Sequence, residues 1–195
     1  MYQKLAATFF IISLIAMGLQ LAGGAQWASL IPARVNEGEI WRLLSAHFVH
    51  TNWQHYLMNM AGIASCLVVF RHDAAAKDWV YSAIFISFFS SACLYFYFIP
   101  WQSYVGFSGV LHGWVVIGIL GMSVKEPKLA LAILTVLVIK LIYENVFEIP
   151  SAVLLDGSRV ATESHLFGAA AGLLYGLATQ ATLRKRIFSP KQIKK

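Results

Sequence analysis

An all-α membrane protein built on six spanning helices is the fold class this sequence predicts, on three observations. Of its 195 residues, 58% are hydrophobic and only 12% charged, too few charges to cover a water-soluble domain of this size. Apolar stretches almost free of charge recur at 5–24, 55–70, 79–99, 108–123, 129–147 and 161–182. Neither an inverted repeat nor a low-complexity linker divides them, so residues 1–195 are expected to form a single membrane domain with a short basic tail over about 183–195.

The first stretch starts beside Lys4 and ends in the small residues of 22–25, which leaves two readings open, a spanning helix or a cleaved signal peptide. The second and fourth are short: at about 1.5 Å per residue each covers roughly 24 Å of a hydrocarbon core about 30 Å thick. Short helices leave a recess above their ends. Between the first two stretches, residues 25–54 form the one long connection, with aromatic and apolar residues among few charges, so short helical pieces sunk in the interface are expected there. Within the fifth stretch Lys140 and Glu144 share a face at i,i+4; snorkelling of Lys140 is the plainer reading and an ion pair the other, with no catalytic role assigned to either. Cys66 and Cys93 fall inside apolar stretches and read as packing groups, not a disulfide or metal site.

The net charge of +6 does not indicate a nucleic-acid partner, because the basic residues are scattered over loops and a tail. They mark topology instead. Lys4, Arg71, Lys77, Lys125, Lys128 and the tail from Arg184 to Lys195 sit at one set of helix ends. Arg34, Arg42 and Arg159, among Glu37, Glu39, Glu148, Asp156 and Glu163, sit at the other. The bias places both termini in the cytoplasm.

Chemistry concentrates at the outward ends. Ser108 opens the fourth stretch in VGFSGVLHG, where Gly106 and Gly109 permit close backbone approach and the helix N-terminus offers free N–H groups to a developing oxyanion. His165 opens the sixth at the same depth, with Gly168, Gly172 and Gly176 on its face at i+3, i+7 and i+11. An ionisable group inside a membrane is costly enough to suggest function. His55 and Asn59, at i,i+4 at the head of the second stretch, can aim two donors into one recess, as acyl transfer requires. A metal site on His47, His50 and His55 is the rival; with no acidic or Cys ligand ordered beside them, no metal and no cofactor are expected.

The set WR at 41–42, HxxxN at 55–59, GxSG at 106–109 and HxxGxxxGxxxG at 165–176 resembles the rhomboid intramembrane serine proteases, over about residues 39–180. The resemblance implies a six-helix rhomboid-like bundle with a cavity open to the periplasmic side, and a Ser/His dyad without an acidic third member. Residue by residue it implies Ser108 as nucleophile, His165 as base and His55 and Asn59 as oxyanion donors, with Glu39, Trp41 and Arg42 supporting the outer loop. The fifth helix and residues 147–161 would form a gate and cap.

Where many rhomboids carry a tyrosine four residues past the serine, His112 stands here, expected to stack on or hydrogen-bond to His165 and fix its tautomer. GFSGVLHG and the small size of the chain resemble the rhombosortase branch. That implies a bacterial inner (cytoplasmic) membrane and the lipid bilayer as setting. Its substrates are transmembrane proteins with a C-terminal anchor of the Gly-Gly type, cut by water or transferred to an amine. An inactive relative that binds membrane clients is the rival reading, and a small transporter is disfavoured by the missing repeats.

Overall fold

The computed structural model describes residues 2–70, 76–98, 100, 102–147 and 160–187, with side chains placed from residue 3 onward within these ranges as far as 179. Its helices are α1 (Tyr2–Leu21), α2 (Ala25–Ala28), α3 (Pro32–Asn36), α4 (Arg42–Ser45), α5 (Trp53–Phe70), α6 (Ala76–Tyr97), α7 (Ser108–Met122), α8 (Pro127–Asn145) and α9 (Glu163–Ile187). A 3-10 turn over Ala46–Phe48 follows α4. Among the described residues there is no strand, only an isolated antiparallel bridge between Leu30 and Tyr104. The chain is an all-helical bundle, as expected, and α1, α5, α6, α7, α8 and α9 fall on the six apolar stretches within a few residues at each end. By length and hydropathy two described helices suffice to cross a membrane, Gln3–Leu21 and Ala76–Tyr97. Helix α7 is apolar but shorter, at 15 residues.

Helix α1 ends for a local reason. Gly23 takes φ +66°, its N–H bonds to the Gln20 carbonyl (3.2 Å) and that of Gly24 to the Leu19 carbonyl (2.8 Å), the two bonds of a glycine-terminated Schellman cap. Gly23 and Gly24, among the small residues at the end of the first stretch, thus form a turn. Leu5 and Phe9 are buried, and Phe9 stacks on Trp114 at 4.9 Å, so α1 is packed as part of the bundle. Proline starts α3 and α8, where its missing N–H leaves no bond unmade.

Helix α7 runs through the middle. Trp114, fully buried, meets Phe9, Trp79 and Phe107, and its indole N–H donates to Ser82 Oγ (3.1 Å). Small residues let α9 approach α7 almost backbone to backbone: a β-carbon on Gly168 would strike the Gly109 carbonyl, and one on Gly172 the Gly113 carbonyl. In a bilayer, where burial of apolar surface gives no net drive between helices, such close packing is the main source of association. The outer faces keep large apolar groups exposed, among them Phe10, Leu57, Phe96, Val136 and Ile139.

The long connection of residues 25–54 is made of short helical pieces, as expected. Arg42, buried, pairs with Glu39 (2.5 Å) and donates from a guanidinium nitrogen to the Ser29 carbonyl (2.7 Å), while Trp41 donates to the Trp27 carbonyl (3.3 Å). These bonds fold the connection onto itself. Residues 148–159, in which most of the expected cap lies, are outside the described residues.

Candidate active site

The strand-like approach to Ser108 is fixed from two sides. Leu30 and Tyr104 exchange backbone hydrogen bonds (3.0 and 2.9 Å), and the Gly106 N–H donates to the Ala46 carbonyl (2.9 Å). His47 lies beneath, its Nε2–H donating to the Ser87 carbonyl (3.0 Å) and its Nδ1 3.2 Å from the Tyr104 hydroxyl. Burial pulls the imidazole of His47 down to about 4 and pushes the Tyr104 phenol up, so both are neutral at ordinary pH. His50 is buried edge-on to His55 (5.1 Å); burial, and then the charge of His55, pull it down to about 3.

Gly106 turns the chain into α7 with φ +119°, a conformation side chains avoid, and a β-carbon there would come within 2.7 Å of the His55 ring. The turn that leads into the serine is therefore packed directly against the His55 ring. Ser108 is the first residue of α7 and half-buried; His165, in the first turn of α9, is buried. Across the α7–α9 glycine contact, Ser108 Oγ lies 3.0 Å from His165 Nε2. A hydroxyl that donates to an imidazole nitrogen can lose its proton as it attacks a carbonyl, which is the geometry of nucleophilic acyl transfer.

Ser108 and His55 line one cavity of about 280 Å³, with Thr51, Gln102, Ser103 and Ala161 among its other walls. Asn59 does not line it. Its amide donates to the His55 carbonyl one turn back (3.2 Å) and lies beneath Gly106. His112 stacks on His165 with ring centroids 4.1 Å apart and planes 15° from parallel. Its Nδ1–H donates to the Ser108 carbonyl (2.7 Å), so of the two contacts expected with His165, stacking is the one formed. Glu39, Trp41 and Arg42 lie away from the cavity, in the connection already described.

Sequence reasoning passed over one residue. Glu144 of α8, with its side chain fully buried, places Oε2 2.8 Å from His165 Nδ1 and Oε1 2.6 Å from Lys140 Nζ. Lys140 does not snorkel away; the ion pair is formed. The signal was present as two ionisable residues at i,i+4 in an apolar helix, but not the partner they face. His112, Glu144 and His165 bring one ligand atom each within 4.8 Å of one another. The Lys140 ammonium already sits on this carboxylate, which makes the cluster a poor cation site. His47, proposed with His50 and His55 as a metal rival, turns Nε2 to Ser87 and Nδ1 to Tyr104 instead.

Comparison with known families places this geometry. Residues 37–181, most of the chain, match the Rhomboid domain, whereas no curated protein matches the chain. With a serine hydroxyl and an imidazole meeting at the heads of two glycine-packed helices inside the matched region, the chain belongs to the rhomboid family, integral membrane proteins that act as intramembrane serine proteases.

Proposed function

We propose that this protein is an active intramembrane serine endopeptidase in which Ser108 is the nucleophile and His165 the general base. The observation that carries the reading is the 3.0 Å contact between Ser108 Oγ and His165 Nε2, made across two helices and beside a cavity. Ser108 Oγ attacks the scissile carbonyl and its proton passes to His165 Nε2, which later delivers it to the leaving amine. The backbone N–H of Ser108 and the His55 ring serve as oxyanion donors, and Asn59, expected as a second side-chain donor, acts through its bond to the His55 carbonyl by holding that residue in place.

The six long helices are read as transmembrane spans of a single domain, both termini cytoplasmic, in a bacterial inner membrane. Exposed apolar side chains along their outer faces support this, as do the basic residues at one set of ends. At about 1.5 Å per residue, α7 covers only roughly 22 Å, so the site it opens lies below the outer surface in a cavity facing the periplasm. A substrate helix must unwind before its backbone can reach the serine, and glycine lowers that cost. The tailed proteins of the rhombosortase branch, cut at a Gly-Gly segment ahead of a C-terminal anchor, therefore suit it, with water or an amine resolving the acyl-enzyme.

A fluorophosphonate probe tests the chemistry. The wild type should label and Ser108→Ala and His165→Ala should not; an unlabelled wild type leaves an inactive, client-binding member of the family. Mass spectrometry of tailed proteins from cells with and without Ser108→Ala then reads the cleaved bond and any amine joined to it.

A further inference from the structure

The carboxylate on α8 is placed for more than packing. Glu144 has no exposed side-chain surface, yet it is charged chemistry in an apolar bundle, a position that costs free energy unless the charge is compensated. Lys140 compensates it through one oxygen (2.6 Å), and the other oxygen meets His165 Nδ1 at 2.8 Å. The ion pair lies within α8, one turn apart, so it ties no two helices together; the carboxylate reaches α9 through its contact with the imidazole. A carboxylate oxygen only accepts, which assigns the His165 proton to Nδ1 and leaves Nε2 to accept from Ser108 Oγ–H at 3.0 Å.

We infer that Glu144 is the third member of a Ser108–His165–Glu144 triad, a positioning residue that holds the Nδ1–H tautomer, with Lys140 as the counter-ion of its carboxylate. This rests on the serine-protease reading and departs from the two-residue site that the family resemblance implies. As Ser108 Oγ bonds to the carbonyl carbon, its O–H bond breaks and the proton passes to Nε2. The Nδ1 proton stays on nitrogen, and the full charge of Glu144 faces the imidazolium until Nε2 returns its proton to the leaving amine. Among the described residues the other groups that act on the ring are His112 from α7, stacked at 4.1 Å, Lys140, with Nζ 3.4 Å from Nδ1, and Glu163, two residues earlier on α9.

The test measures the rate of fluorophosphonate labelling of Ser108 across pH in the full-length protein, alongside melting temperature. E144Q should slow labelling by about 100-fold to 10,000-fold, the upper end being the loss seen when an amide replaces a triad carboxylate. The acidic limb of its rate profile should move to lower pH, because a neutral amide no longer stabilises the imidazolium, and E144D should recover part of the rate. If E144Q leaves Lys140 unpaired and fails to fold, the double variant K140M/E144Q removes both charges and should show the same loss and the same displaced limb. Labelling of E144Q or the double variant at the wild-type rate with an unmoved limb overturns the triad, as does a loss that only tracks lost folded protein. Failure of the wild type to label overturns instead the protease reading beneath it.

Discussion

Gly168 of α9 and Gly109 of α7 meet with no side chain between them, so closely that a β-carbon on Gly168 would overlap the Gly109 carbonyl. His165 lies one turn before Gly168 and Ser108 one residue before Gly109. The same contact that packs the two helices therefore sets the distance between hydroxyl and imidazole.

Gly168→Ala should accordingly injure the site out of proportion to its size. Backbone atoms cannot turn aside as a flexible side chain does, so the helices must separate, at a cost of about 1–3 kcal/mol for an overpacked contact. A displacement of about 1 Å at reacting groups costs about 100-fold in rate, and fluorophosphonate labelling should fall by that order. Gly176→Ala, which meets the Leu120 methyl at 2.5 Å, should be milder because that side chain can move. Gly18→Ala has open space around it and should be neutral or stabilising by up to about 1 kcal/mol. Equal melting temperatures and labelling rates across the three would contradict this ordering.

Gly106→Ala combines two faults. Its φ of +119° is strained for any residue with a side chain, and the added methyl would press to within 2.7 Å of the His55 ring. The turn into α7 should reopen, carrying Ser108 away from the cavity it shares with His55. Labelling should drop by about 100-fold or more, with a smaller loss of melting temperature than Gly168→Ala, because the α7–α9 contact is untouched.

The stack of His112 on His165 predicts tolerance of another ring. His112→Phe and His112→Tyr keep a flat partner against the imidazole while losing the N–H that reaches the Ser108 carbonyl. One hydrogen bond of about 1 kcal/mol is at stake, and labelling should stay within about tenfold of wild type. His112→Ala loses the ring as well and should fall further. Full inactivity of the Phe and Tyr variants would give the His112 N–H an essential part that stacking does not explain.

How far the sequence was legible varies with what sets each feature. Helix positions were legible because an apolar run ended by charge, Gly or Pro marks a helix whatever its neighbours do: α5 ends at Phe70 and α7 begins at Ser108 where the runs do. The pairing of Ser108 with His165 was legible because the glycines at 168, 172 and 176 turn that face of α9 toward a partner. Glu144 was not, since its partner stands 21 residues on and on another helix. A helix that is apolar all round carries no stripe to fix its rotation, so nothing local says which way a polar side chain on it points. The end of α1 was ambiguous for the opposite reason, as small residues suit both a cleavage site and the glycine cap whose bonds Gly23 and Gly24 form.

The buried imidazoles of the outer connection make stability depend on pH. His47 and His50 are neutral in the fold, held down to about 4 and about 3 chiefly by burial, whereas in an unfolded chain each takes a proton near pH 6.5. Between those values the unfolded state binds more protons, so stability rises with pH: it is full above about pH 6.5 and is lost as pH falls toward about 4, by up to about 1.4 kcal/mol per unit for each group. Melting in detergent should therefore fall from about pH 7.5 to about pH 5. The ring nitrogens of His50 meet no protein partner among the described residues, so His50→Leu leaves no donor or acceptor stranded and should cost little at about pH 7.5 while flattening the slope. His47→Leu should also flatten it but at a larger loss at neutral pH, because it removes the hydrogen bonds the ring makes with the Ser87 carbonyl and the Tyr104 hydroxyl. A melting temperature independent of pH in the wild type, or a slope unchanged in both variants, would show that these two histidines do not carry the linkage.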